Sequence, residues 1–159
     1  MDACGVNEPT KTRVLGLGNE ILADDAFGIR AAREVESRYP GQAEVVCSSA
    51  AGFGLLDDVL GAPRLIVIDA AMTGTVPPGT IHRLAEDEMR ETSVAGPHFV
   101  GLFEVLAAGR QMGLDVPETA TVIAVEASDC TTVGGPMHPD VERAIPEVVD
   151  LVGGILGGG

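Results

Sequence analysis

The chain has 159 residues, 45% of them hydrophobic but only 3% aromatic, and 24 acidic against 10 basic side chains give a formal charge of −14. Its core must therefore be built from Val, Leu, Ile and Ala, in a single domain that buries roughly two-thirds of the surface its unfolded chain exposes. So acidic a surface repels phosphodiester backbones and anionic lipid, which argues against nucleic-acid or membrane-surface binding and favours a cation or a cationic partner.

Three cysteines, Cys4, Cys47 and Cys130, stand far apart without a Cys-x-x-Cys pair, so neither a disulfide framework nor a zinc knuckle is expected. The N-terminus lacks a charged-then-apolar leader, and no apolar run approaches the ~20 residues of a membrane helix. The expectation is a soluble, cytoplasmic protein.

In chain order, Thr12 to Leu17 is a β-branched and aliphatic run ended by glycine, the pattern of a buried strand. From Asp24 the period changes: Ala26, Ile29, Ala32, Val35 and Tyr39 recur every three to four residues and predict a helix stopped by Pro40-Gly41. Ala43 to Ser48 predicts a second strand, Gly52 to Leu60 a short helix, and Arg64 to Ala70 a third strand covered on both faces. Thr80 to Leu84 reads as a fourth, hairpin-like strand, and Ala85 to Gly96 as an acidic surface loop with a helical turn. Pro97 predicts the start of a helix through Met112, with Phe99, Leu102, Phe103 and Leu106 on one stripe. Thr119 to Glu126 is a fifth strand, and Pro139 to Val152 a closing helix that Pro146 is expected to kink or split. Residues 1–11 and 153–159 read as flexible ends. Strands alternating with helices predict an α/β three-layer sandwich over residues 1–159, its twisted, mostly parallel five-stranded sheet flanked by helices.

In such sheets ligands bind beyond the carboxyl ends of the strands. Asp24 and Asp25 follow the first strand, Asp69 ends the third, and His98 falls in the first turn of its helix. Together they could assemble two carboxylates and an imidazole from separate elements. Each has a plain structural alternative. Adjacent aspartates at a helix start are an N-cap and a first-turn charge, the reading preferred for Asp24. Asp69 could cap the turn after its strand, and His98 could be a half-buried helix-start histidine kept neutral by the helix dipole, the form that binds metal. His82 reads as structural or solvated, His138 as a helix-entry residue, and Glu20 as either an outer carboxylate or a solvated one. Ile21 stands where a dinucleotide-binding loop has its third glycine, no P-loop exists, and His-Glu-x-x-His and Gly-x-Ser-x-Gly are both absent. A Cys47–His98 protease pair lacks any local group to activate the thiol.

The stretch Gly16-Leu-Gly-Asn-Glu-Ile-Leu-Ala-Asp-Asp-Ala-Phe-Gly28 resembles the signature of the hydrogenase maturation proteases. Leu65 to Ala71 resembles that family's strand ending in a functional aspartate. Gly96-Pro97-His98 resembles its helix start, and Val122 to Val152 its C-terminal strand and helix. The resemblance implies an endopeptidase that trims the C-terminal extension of a [NiFe]-hydrogenase large-subunit precursor once nickel is inserted. It places the metal ligands and catalytic residues on Asp25, Asp69 and His98, with Gly16, Gly18 and Asn19 shaping the turn that delivers Asp25. Nickel would be supplied by the precursor, other divalent cations being alternative occupants, and would polarise the scissile carbonyl or activate a water. The partner implied is that precursor and the protease a monomer. In place of the family's Asp-Gly-Gly loop stands Cys47-Ser-Ser-Ala-Ala-Gly52, a departure that bears on precursor specificity. Rival readings are a non-catalytic nickel- or large-subunit-binding factor of the same fold, a Rossmann-like nucleotide-binding protein, and a peptidase of the spore germination group.

Overall fold

The computed structural model describes residues 11–89, 94, 98 and 101–158. Five strands form one sheet: β1 (Arg13–Leu17), β2 (Glu44–Ser48), β3 (Arg64–Ala71), β4 (Ile81–Ala85) and β5 (Thr119–Glu126), in the order β2-β1-β3-β5-β4. All pairings are parallel except β4 on β5, which is antiparallel, as the hairpin-like fourth strand predicts. Among the described residues five α-helices accompany them: α1 (Phe27–Arg38), α2 (Leu56–Val59), the single acidic turn α3 (Glu86–Met89), α4 (Leu102–Gln111) and α5 (Pro139–Gly157).

Successive residues of a strand point to opposite faces, and the core divides accordingly. Ile66 and Ile68 of β3 pack with Phe27, Ala31 and Val35 of α1 and with Val141, Val148 and Val152 of α5. Leu65 and Val67 pack on the other side with Leu55, Val59 and with Leu102, Val105 and Leu106 of α4. A strand covered on both faces needs no polar alternation, so the unbroken apolar run of β3 was legible as such.

Three expectations are corrected. The helix after β1 does not begin at Asp24: a 3-10 turn, Ala23–Ala26, comes first, and α1 starts at Phe27. Helix α5 runs unbroken through Pro146 and on to Gly157. Pro146 and Glu142, whose carbonyl loses its donor, both lie on the exposed face, where solvent can reach that carbonyl. Residues 153–157 are thus helical rather than a flexible end. Ile155 is buried in the core, and Gly153 leaves room for Tyr39, whose hydroxyl would lie 2.2 Å from a Cβ there. Helix α4 begins at Leu102, after Gly101 in a left-handed conformation (φ 90°). Gly96, Pro97 and Phe99, on which its expected start rests, lie outside the described residues, as do Cys4 and the rest of residues 1–10. Among the described residues no helix is long and apolar enough to cross a membrane.

Candidate metal centre

The chain leaves β1 for β2 on one side and returns to place β3 on the other, so the crevice of the sheet opens at the carboxyl ends of β1 and β3. The turn after β1 is built by close backbone approach. Gly18 has φ 148°, and a Cβ there would stand 2.0 Å from the Asp25 carbonyl, which instead accepts from Asn19 N–H at 3.2 Å. Gly16 acts differently from the turn-shaping role expected of it. It lies in β1, and with Gly28 it lets α1 settle directly on the strand: a Cβ on Gly28 would meet the Leu17 carbonyl at 2.2 Å. Gly28 therefore supplies the helix–strand proximity that the third glycine of a dinucleotide loop provides elsewhere.

Asp25, Asp69 and His98 are brought together: one ligand atom from each lies within 4.8 Å of the other two. Both carboxylates are buried. His98 Nε2 stands 3.1 and 3.2 Å from the two Asp25 oxygens. Asp69 Oδ1 accepts from Ala70 N–H at 2.8 Å, whereas Oδ2 is buried and without a hydrogen-bond partner among the described residues. An orphaned carboxylate oxygen costs several kcal/mol in desolvation unless something cationic or acidic meets it, roughly 1–3 kcal/mol even for a neutral group. Burial accordingly pushes the Asp69 carboxyl well above the usual carboxylate range, only partly opposed by His98. The His98 imidazole is also raised, chiefly by its hydrogen bond to Asp25 and further by the Asp69 charge.

The direction of that shift is opposite to the helix-dipole effect expected of His98. His98 precedes the N-cap Gly101, and dipole effects fade within the first turn, whereas two carboxylates lie within a few ångströms. Two oxygen donors and one imidazole nitrogen form a mixed set suited to a borderline divalent cation, and a cation would satisfy Asp69 Oδ2.

Asp24 does not cap a helix. Its buried carboxylate accepts from three backbone N–H groups, Ser128 (2.8 Å) and Asp129 (2.9 Å) on Oδ2 and His138 (2.6 Å) on Oδ1. Its own N–H donates to the Asp129 carbonyl. Asp24 thus clamps the β5–α5 connection against the turn that carries Asp25. Glu20 lies at the surface paired with Arg33, and His138 caps α5, its Nδ1 accepting from Asp140 N–H. His82 sits in β4 with Nε2 buried.

The centre opens into a cleft of about 550 Å³ whose walls include Asn19, Leu22, Met72, Cys130 and Thr131. Sequence reasoning missed Met72 and Cys130, which carry no spacing signal; only the fold brings their loops here. Burial and the surrounding aspartates push the Cys130 thiol up to about 12. Cys47 faces a neighbouring cleft with Arg33 rather than lining this one, whereas Ser49 of the divergent 47–52 loop lines the centre's cleft and the Ala50 backbone hydrogen-bonds His98. A side-chain change at Cys47 leaves that contact in place.

A family model described as hydrogenase maturation protease matches residues 29–155, most of the chain. The chain belongs to the hydrogenase maturation protease family. The match begins just after Asp25, but similarity to individual members reaches further. The hydrogenase 2 maturation protease of Escherichia coli K12 is 36% identical over 143 residues, covering 87% of this chain and 86% of that protein. The hydrogenase expression/formation protein HupD of Bradyrhizobium diazoefficiens is 31% identical over 155 residues, covering 94% and 80%. The solved structure of the hydrogenase maturating endopeptidase HybD from E. coli superposes with a TM-score of 0.75 at 32% identity, covering 89% of both chains. The five-stranded α/β architecture of this maturation protease is that family's fold, and the membership makes it a hydrolase.

Proposed function

We propose that this maturation protease removes the C-terminal extension of a [NiFe]-hydrogenase large-subunit precursor, and that Asp25, Asp69 and His98 engage nickel already seated in that precursor. The observation that carries the reading is the convergence of three ligand atoms within 4.8 Å of one another, together with a buried Asp69 oxygen that has no hydrogen-bond partner among the described residues. Nickel on the substrate supplies Lewis acidity, for polarising the scissile carbonyl or activating a water. The chain's own groups do the rest. Asp69 Oδ2 offers an oxygen donor whose proton, favoured by burial, the metal displaces. Asp25 exchanges the His98 hydrogen bond for the metal, and His98 gives up its proton to become a neutral donor. The cleft presents apolar walls at Leu22 and Met72 and has room for a peptide segment. On this reading the protease acts as a cytoplasmic monomer, since its precursor must reach an unobstructed centre.

Intact-mass analysis after incubation with nickel-loaded and nickel-free precursors tests the proposal. A C-terminal peptide is lost only from the loaded form, and His98→Ala or Asp69→Asn abolishes that loss. Equal cleavage of both precursor forms, or wild-type rates from these variants, would overturn it.

A further inference from the structure

Glu126 is the last residue of β5 and among the largest fully buried side chains, yet it has no place in the metal centre. Its carboxylate accepts from Thr73 N–H (2.9 Å) and Gly74 N–H (2.8 Å) on Oε1 and from the Thr73 hydroxyl (2.9 Å) on Oε2. Its backbone serves the other end of the same connection: Glu126 N–H donates to the Thr80 carbonyl and Gly79 N–H donates to the Glu126 carbonyl, both at 2.8 Å. One residue therefore holds the 72–80 strap between β3 and β4 from both ends. The strap is further stiffened by the Thr73–Thr75 hydroxyl pair (2.8 Å). His82 Nε2 stands behind the carboxylate, 4.0 Å from Oε2.

At the start of this strap is Met72, immediately before the clamped Thr73. It is 50% exposed although large and apolar, and it forms a wall of the cleft that holds Asp25 and His98. A thioether side chain is adaptable as well as apolar, so its placement depends on a fixed backbone more than on its own rotamer. Leu22 supplies a second apolar wall of the same cleft. We propose that Met72 is a specificity-determining contact that receives an apolar side chain of the precursor segment seated in the cleft, and that Glu126 is the positioning residue that sets Met72 in place. The inference rests on the precursor-processing function proposed above.

The consequences separate cleanly from metal binding. Met72→Ala removes the apolar wall and raises the KM for nickel-loaded precursor about tenfold. Glu126→Leu releases the strap and does the same, whereas Glu126→Gln, whose amide oxygen still accepts from Thr73 and Gly74 N–H, stays within about twofold of wild type. Because Glu126 acts through Met72, the Glu126→Leu/Met72→Ala double variant has the KM of Met72→Ala alone. Titration with Ni²⁺ in the absence of precursor gives the same affinity for every variant. Should Glu126→Leu not fold, Thr73→Val, which deletes the hydroxyl's bonds to Glu126 and Thr75 and keeps the Thr73 N–H, carries the same cycle with a smaller effect. Multiplying KM effects in the double variant, an unchanged KM in Met72→Ala, or a parallel loss of Ni²⁺ affinity would each overturn the proposal. If wild type leaves the precursor intact, the processing function itself falls, and this role with it.

Discussion

Asp24 offers a sharp comparison between what local sequence implies and what the fold does. As a helix cap, Asp24 would be replaceable by Asn at almost no cost, since the two rank together at that position, and replacement by Ala would cost about 1 kcal/mol. As a clamp, it accepts two N–H groups on one oxygen and one on the other. Hydrogen bonds to a charged acceptor contribute about 1.5–3 kcal/mol each, less when three share one group. Asp24→Ala should therefore cost about 3–5 kcal/mol, lowering the Tm by on the order of 10 °C for a domain of this size. Asp24→Asn can place its single carbonyl oxygen on only one side, so at least one N–H faces an NH₂ group, and the cost is about 2 kcal/mol. Urea unfolding followed by far-UV circular dichroism measures both, the chain having no Trp and one Tyr. Amide exchange at Ser128, Asp129 and His138 should accelerate in parallel. An Asp24→Asn protein within about 0.5 kcal/mol of wild type would refute the clamp and restore the cap.

Four further outcomes follow from the same geometry. Asp69 has a folded-state carboxyl raised by burial, so the stability it contributes is complete below its unfolded value and is lost as pH rises through the raised folded one. Metal-free Asp69→Asn should thus unfold at a higher temperature than wild type at neutral pH, with the gap closing in acid, while Ni²⁺ binding is lost; an unchanged Tm at neutral pH would contradict the burial argument. His98 is raised as well, so protons compete at two ligands and Ni²⁺ affinity should climb with pH across the neutral range, a slope that calorimetric titration at several pH values can read. Ile155→Ala should cost about 2–4 kcal/mol in urea unfolding if the Gly-rich end is packed helix, and close to nothing if it frays. Cys130, with its thiol pushed up to about 12, should resist alkylation at about pH 8, where roughly one molecule in 10⁴ is thiolate, as peptide mass mapping would show.

The amino-acid sequence by itself determined the architecture, because period carries it. Apolar runs at Val14–Leu17, Leu65–Ile68 and Val122–Val125 gave buried-strand signals, and residues spaced three to four apart between Ile29 and Val35 gave one side of a helix. Position raised Asp24, Asp25, Asp69 and His98 as acids and an imidazole at strand ends and helix starts, and the resemblance to the maturation proteases chose Asp25 over Asp24 as a ligand. The convergence of Asp25, Asp69 and His98, with an Asp69 oxygen unpartnered among the described residues, is a property of the fold. What only the tertiary structure decided concerns contacts between distant segments. The partners of Asp24 lie 104 to 114 residues away, so a local rule named it a cap. The strap held by Glu126 lies about fifty residues before it, at |i−j| of 52 and 53. The charge preference of His98 depends on carboxylates from two other elements. The glycines near the C-terminus read as fraying until Tyr39 and the core around Ile155 are in place. Periodicity is written into neighbouring residues; a buried polar group takes its meaning from whichever backbone the fold brings to it.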